Sequence, residues 1–217
     1  MIDHAVLKPM LTRQDVAANA RVCIRRGVRT MCVRPTDVAL AARQLQGSGV
    51  DVSVVVGFPH GSNRTETKVL EAGLAIQDGA REIDMVMNIG RFLSEDYVLV
   101  QRDIAAVVKE AKRSGVLVKV ILESCYLSGE QVAKACRIAQ AAGADFVKTS
   151  TGFGDGPATP EVIAIMVATV GGKLGVKASG GIRSWETAVG YLNQGCTRLG
   201  VASTEAVLDG AMAHAQY

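Results

Sequence analysis

No apolar run in this chain approaches the roughly 20 residues that a membrane span needs, and Met1-Ile2-Asp3-His4 lacks the basic and apolar regions of a signal peptide. A protein that keeps to the cytoplasm, with no membrane partner, is expected. The cysteines Cys23, Cys32, Cys125, Cys136 and Cys196 are odd in number and never fall in a C-x-x-C spacing, which argues against a disulfide framework or a zinc knuckle and fits a reducing compartment. Basic clusters are missing too: 24 Lys and Arg face 21 Asp and Glu, and the net charge of +3 is spread along the chain. Nucleic acid, whose phosphates call for a basic patch, is excluded as a partner. The histidines His4, His60 and His214 show no H-x-x-x-H spacing, so no metal site is expected. Nor does any Pro- or Ser-rich linker divide the chain, and no G-x-G-x-x-G follows the first apolar run, which weakens an open dinucleotide-binding sheet. Against these absences stand 48% hydrophobic and 21% charged residues, the mix of an ordinary folded protein rather than a disordered one.

Seven short apolar runs rich in β-branched residues stand out: residues 28–33, 50–58, 82–87, 117–122, 146–150, 176–179 and 197–201, with a weaker eighth opening at Ile2. Between them lie Ala-, Glu-, Lys- and Arg-rich stretches whose apolar residues recur every three or four positions, such as Val98, Ile104, Ala105, Val108 and Ala111, the period of a helix. Glycines at 27, 49, 79, 115, 143, 175 and 195 stand where each helix ends before the next strand. The unit helix, glycine, strand repeats about eight times at about 27 residues each, the arithmetic of a small (β/α)₈ TIM barrel. An α/β fold is expected, one barrel domain spanning residues 1–217. The active site of such a barrel lies where strands end and the following loops begin, which directs attention to Asp84, Lys148, Lys177 and Gly200.

Three of the apolar runs carry a lysine: Lys119, Lys148 and Lys177. Twenty-nine residues separate each from the next, so consecutive strands should place them side by side at comparable heights. A charged amine in an apolar interior is costly, and neighbouring like charges raise the cost, so the neutral form is favoured and proton affinity should fall. A neutral amine is a nucleophile able to form a Schiff base, whose iminium carbon draws electrons from a neighbouring C–C bond. The plain alternative is that each lysine is a strand-end residue reaching solvent or pairing with Asp84 or Glu123. Lys148 lies just before the loop Thr149-Ser150-Thr151-Gly152, which selects it as the nucleophile. Asp84, in Glu82-Ile83-Asp84-Met85, is the candidate for moving protons, with an ion pair to Lys119 or Lys177 as its structural role. No cysteine combines a low-pKa setting with a histidine partner, leaving thiol catalysis without support.

Glycine clusters follow the last three strands, in Thr151-Gly152-Phe153-Gly154, Ser179-Gly180-Gly181 and Gly200-Val201-Ala202-Ser203. Loops there commonly hold phosphate on backbone N–H groups in this fold, although such loops also occur as plain tight turns. Gly152, Gly180, Gly181, Gly200 and Ser203 are the candidate phosphate-binding residues, and the expected partner is a small phosphorylated sugar. A second copy of the chain, in a homodimer, is the one protein partner considered.

These residues fall into motifs, in order Asp3-His4-Ala5-Val6-Leu7-Lys8-Pro9, Met31-Cys32-Val33-Arg34-Pro35, Gly57-Phe58-Pro59-His60-Gly61, Glu82-Ile83-Asp84-Met85-Val86, Lys119-Val120-Ile121-Leu122-Glu123, Gly143 to Gly154, Val176 to Arg183, and Arg198-Leu199-Gly200. Through them the chain resembles the deoxyribose-phosphate aldolase family over essentially its whole length. The resemblance implies that Lys148 forms the Schiff base, that Lys177 lowers its pKa and that Asp84 handles protons. It also implies reversible cleavage of 2-deoxy-D-ribose 5-phosphate to D-glyceraldehyde 3-phosphate and acetaldehyde, in deoxynucleoside breakdown, without metal or organic cofactor. Another class I aldolase acting on a sugar phosphate or a phosphorylated keto acid, or an inactive sugar-phosphate-binding barrel, are the alternatives. Ala5 stands where the family usually has Thr, and Val201 and Ala202 replace the usual Ser/Thr-rich residues; only the second departure suggests the inactive barrel. A terminal tyrosine recurs in the family, and Tyr217 matches it.

Overall fold

The apolar runs pair with one another in chain order. In the computed structural model, which describes residues 1–210, the strands are β1 (Ile2–Val6), β2 (Thr30–Val33), β3 (Asp51–Val56), β4 (Glu82–Val86), β5 (Leu117–Ile121), β6 (Phe146–Lys148), β7 (Gly175–Ser179) and β8 (Arg198–Val201). Every pairing is parallel, and β8 returns to β1 to close the barrel. Parallel neighbours need a crossover, supplied by α1 (Arg13–Arg26), α2 (Val38–Leu45), α3 (Thr65–Gln77), α4 (Ile89–Leu93) with α5 (Tyr97–Lys112), α6 (Gly129–Ala141), α7 (Pro160–Val170) and α8 (Trp185–Asn193), with α9 (Thr204–Leu208) following β8. This is the expected (β/α)₈ barrel. Tyr217 lies outside the described residues. Among the described residues no helix is long and apolar enough to cross a membrane.

Local chemistry starts and stops the helices. Thr12 and Asp15 cap α1 reciprocally, the Thr12 hydroxyl accepting from Asp15 N–H and the Asp15 carboxylate from Thr12 N–H, and Ser128 with Gln131 does the same for α6. Gly27 ends α1 in the left-handed region at φ 57°. The glycine expected to end the helix before β7 is misplaced by sequence reading. Gly171 ends α7, whereas Gly175 is the first residue of β7, where a Cβ would lie 2.2 Å from the Phe146 ring. Ring packing, not helix termination, demands that glycine. The stripe expected on α5 is also shifted: Val98 is 63% exposed, and Val100, Ile104, Val107, Val108 and Ala111 face inward.

Alternation along the strands separates two environments. Outward-pointing residues such as Val54, Ile83, Val120, Val147 and Leu199 pack with helix residues such as Val16, Ile104 and Ile163 into one apolar shell. Seven of the inward-pointing residues are charged. Alternate strands fill the lumen in layers: Thr30, Glu82, Phe146 and Arg198 low in the barrel, Asp3, Ser53, Lys119 and Lys177 above them, then Cys32, Asp84, Lys148 and Gly200, with Ala5, Val55, Ile121 and Ser179 nearest the strand ends. In the ladders Lys148 pairs with Lys177, and Lys119 with Phe146. Tilted strands step ladder partners from layer to layer, so the expected equal height holds for Lys119 and Lys177, while Lys148 stands one layer nearer the strand ends.

Candidate active site

Seven charged side chains meet in the lumen: the carboxylates Asp3, Glu82 and Asp84 and the cations Lys119, Lys148, Lys177 and Arg198. Lys119 Nζ lies 2.6 Å from Glu82, 2.7 Å from Asp84 Oδ1 and 3.5 Å from Asp3. Lys177 Nζ donates to Asp3 Oδ2 at 2.5 Å and Asp84 Oδ2 at 2.7 Å. Among the described residues Lys148 Nζ has a single carboxylate partner, Asp84 Oδ2 at 2.7 Å, the oxygen that Lys177 also uses. Fully ionised, the cluster carries four positive charges against three negative, and buried excess charge is costly. The guanidinium cannot shed its proton, Lys119 has three carboxylates around it, and Lys177 has two. Lys148 is therefore the cation that gives up its proton most easily.

The proton affinities follow this geometry. Burial holds Lys148 below the ordinary lysine range, with Asp84 opposing and Lys177 adding to the depression. Lys177 and Lys119 are buried as well, but Asp3 and Asp84 outweigh that and push both above the ordinary value. The expected fall thus applies to Lys148 alone, because the carboxylates crowd the other two. Burial works against the charged forms of Asp84 and Asp3, yet the lysines hold Asp84 well below, and Asp3 below, the usual carboxylate range. Asp84 therefore fulfils the ion-pair role while also touching the Lys148 amine.

Above the cluster, at the C-terminal ends of the strands, opens a cavity of about 270 Å³. Lys148 and Lys177 reach it, and all five glycine and serine candidates, Gly152, Gly180, Gly181, Gly200 and Ser203, line it. Asp84 is fully buried behind the two amines, and Lys119 does not reach the cavity. Asp3, Asn19, Cys32, Lys8 and Arg183 also line it and were missed by sequence reasoning. The inward phase of Asp3 and Cys32 along their strands was the available signal; for Asn19, a helix residue, there was none. Lys8 and Arg183 add positive charge at the wall. Of Val201, which ends β8, and Ala202, which follows it, only Ala202 lines the cavity; Val201 is buried in the apolar shell. Burial pushes the Cys32 thiol above its usual range, away from thiolate. Among the described residues no group of three or more His, Cys, Asp or Glu is placed to hold a metal ion.

Cross-strand bonds hold the ends of β6 and β7 in place. Thr149 Oγ1 donates to Ser179 O at 2.9 Å and accepts from Ser179 N–H at 3.0 Å, and Ser179 Oγ donates to Ser150 O at 2.5 Å. Glu123, at φ 52°, turns its buried carboxylate to accept the Thr151 N–H at 3.1 Å and the Thr151 hydroxyl. Burial raises its pKa, the Thr151 bonds opposing. The loop carrying Gly152 is thereby tied to β5. Glycine is obligatory at two lining positions: Gly181 sits at φ 75° with Pro157 Cβ 2.6 Å from where a Cβ would stand, and a Cβ on Gly200 would lie 2.8 Å from Ser179 Cβ and 3.2 Å from Lys177 Cε.

A lysine of lowered proton affinity, a carboxylate on its amine and a cavity walled by glycine loops are parts that Schiff-base chemistry requires. The model of the family described as DeoC/LacD family aldolase matches residues 1–196. The chain belongs to that family. A Clostridium perfringens (strain 13) protein named deoxyribose-phosphate aldolase is 46% identical over 217 residues, all of this chain and 96% of that one. A protein of the same name from Thermococcus gammatolerans is 48% identical over 97% of this chain and 94% of its own length. Among solved structures, the deoxyribose phosphate aldolase from Aeropyrum pernix, described as having a unique tetrameric structure, superposes with a TM-score of 0.90 at 33% identity, covering 96% of this chain and 88% of its own.

Proposed function

We propose that the chain is a class I deoxyribose-phosphate aldolase, cleaving 2-deoxy-D-ribose 5-phosphate reversibly to D-glyceraldehyde 3-phosphate and acetaldehyde on one barrel domain. The neutral amine of Lys148 adds to the aldehyde carbon C1, and loss of water leaves an iminium. Removal of the C3 hydroxyl proton then breaks the C2–C3 bond, releasing glyceraldehyde 3-phosphate, and the bonding electrons form an enamine on Lys148. Protonation at C2 and hydrolysis free acetaldehyde and restore the amine. Asp84, ionised at rest and 2.7 Å from both lysine amines, stands behind the cavity wall and takes up the C3 hydroxyl proton, and returns it, through water and the amines. Lys177 keeps its proton and, as a cation beside the nucleophile, favours its neutral form. Gly152, Gly180, Gly181, Gly200 and Ser203 receive the phosphate on backbone N–H groups and one hydroxyl.

The observation that carries this reading is that Lys148, alone among the lumen lysines, combines access to the cavity with lowered proton affinity. Incubation with acetaldehyde and borohydride is expected to add mass to the peptide containing Lys148. A coupled assay for released acetaldehyde should show turnover in the wild type and none in Lys148→Ala. An unmodified Lys148, or a Lys148→Ala enzyme that still cleaves the substrate, refutes the assignment.

A further inference from the structure

Arg198 and Glu82 occupy the lowest layer of the lumen and neither lines the cavity. Their contact is nevertheless buried and two-pronged, Nη1 to Oε2 at 2.8 Å and Nη2 to Oε1 at 3.2 Å. Stability does not call for charge at such a place: branched apolar residues usually fill the lumen of this fold, and exchanging a buried ion pair for well-packed apolar residues is often neutral or stabilising. What the pair does have is an unbroken connection to the nucleophile. Arg198 Nη1 donates to Asp3 Oδ1 at 2.7 Å, Asp3 Oδ2 accepts from Lys177 at 2.5 Å, and Asp84 Oδ2 accepts from Lys177 and Lys148 at 2.7 Å each. A second branch runs from Glu82 through Lys119 to Asp84.

We propose that Arg198 and Glu82 are positioning residues which set, from the bottom of the lumen and with opposite sign, how readily Lys148 gives up its proton. The inference rests on Lys148 being the Schiff-base amine. Its sign comes from the charge count. Without the guanidinium, three cations balance three carboxylates, and deprotonating Lys148 would leave a buried negative excess, so the amine holds its proton. With Glu82 neutralised, four cations face two carboxylates, and the pressure on Lys148 to become neutral rises. The groups facing Lys148 are Asp84 from β4, Lys177 from β7, Cys32 from β2 and Glu123 beyond β5. Those facing Arg198 are Asp3, Glu82, the Phe146 ring at 5.3 Å and the Met1 amino group, with Arg29 3.6 Å from Glu82 Oε1, the oxygen that also accepts from Arg198 Nη2. A pair serving structure alone would, when broken from either side, loosen the same site in the same way; a pair acting through charge moves the nucleophile in opposite directions.

The test is the pH dependence of kcat/KM for the cleavage, from about pH 5 to about 10, in the wild type, Arg198→Gln, Glu82→Gln and Arg198→Lys. The acid-side midpoint is expected to rise by roughly one pH unit in Arg198→Gln and to fall by a similar amount in Glu82→Gln. Arg198→Lys, which restores the charge without the fork, should return the midpoint to within about 0.3 units of the wild type. Midpoints that move together, or that stay put in both neutral variants, overturn the proposal. Should neither neutral variant fold, Arg198→Lys and Glu82→Asp are read instead: each keeps its charge with altered geometry, so unmoved midpoints support the proposal and a shift beyond about 0.5 units overturns it. Borohydride trapping on wild-type Lys148 separates the two readings. An absent adduct removes the parent assignment, whereas an adduct with unmoved midpoints removes this inference only.

Discussion

Replacing Lys177 by leucine removes the cation that shares Asp84 Oδ2 with Lys148, the proposed nucleophile, while leaving an apolar side chain to occupy the lumen. Both amines lie 2.7 Å from Asp84 Oδ2, so their nitrogens are at most twice that, 5.4 Å, apart. At about 5 Å and an effective dielectric near 20, two unit charges repel by about 3 kcal/mol, equivalent to roughly two pH units. Losing Lys177 also leaves Asp84 Oδ2 to Lys148 alone, which strengthens the hold on its ammonium, so both changes act in the same direction. The acid-side midpoint of kcat/KM should therefore rise by about two units, and the rate near neutrality should fall about a hundredfold. Removing one partner of a buried pair costs about 3 to 5 kcal/mol of stability, so the profile is measured well below the variant's own melting temperature, with the acetaldehyde-coupled assay. Lys177→Arg, which keeps a cation, is the control and should retain the wild-type midpoint. A Lys177→Leu enzyme whose midpoint stays in place, or moves down, would falsify the electrostatic account of the nucleophile.

Ala202→Ser returns a hydroxyl to the cavity wall; if it faces phosphate, KM for the phosphorylated substrate should drop about fivefold with kcat unchanged, as one neutral hydrogen bond of about 1 kcal/mol permits. An unaltered KM would place the phosphate away from that loop. Stability should also depend on acid. Asp3 and Asp84 bind protons less readily folded than unfolded, so their contribution is fully present above the unfolded carboxylate value near 4 and is lost as pH falls through the depressed folded values. Urea midpoints should accordingly decline from about pH 5 downward, and Asp84→Asn should flatten that decline; a wild-type midpoint unchanged down to about pH 3 contradicts the depressed values.

The fold was readable because its signals are local. Apolar residues recurring every three or four positions, a glycine such as Gly27 at the helix end and a β-branched run after it need no knowledge of the rest of the chain. The 29-residue spacing of the lysines likewise marked Lys148 and Lys177 as neighbours, which the ladder pairing bears out. What stayed hidden depends on closure and tilt. Asp3 and Arg198 stand 195 positions apart, and only the pairing of β8 with β1 brings them together. Equal spacing could not show that Lys119 lies a layer below Lys148, because that step comes from strand inclination. Nor could it show that Glu82, Asp84 and Asp3 surround Lys119 and raise its proton affinity, although Asp84 was singled out. Gly175 was misread because its reason is the Phe146 ring, 29 residues earlier in the chain.

The meeting of the first strand with the last also bears on how the protein is made. Asp3 leaves the ribosome 174 residues before Lys177 and 195 before Arg198, a wait of roughly ten to forty seconds at ordinary translation speeds. Throughout that interval, tucking the opening strand into a half-made wall would strand a naked carboxylate in a space short of its partners. The nascent chain is thus discouraged from sealing early, and the final strand, bringing the guanidinium, is what makes closure worthwhile.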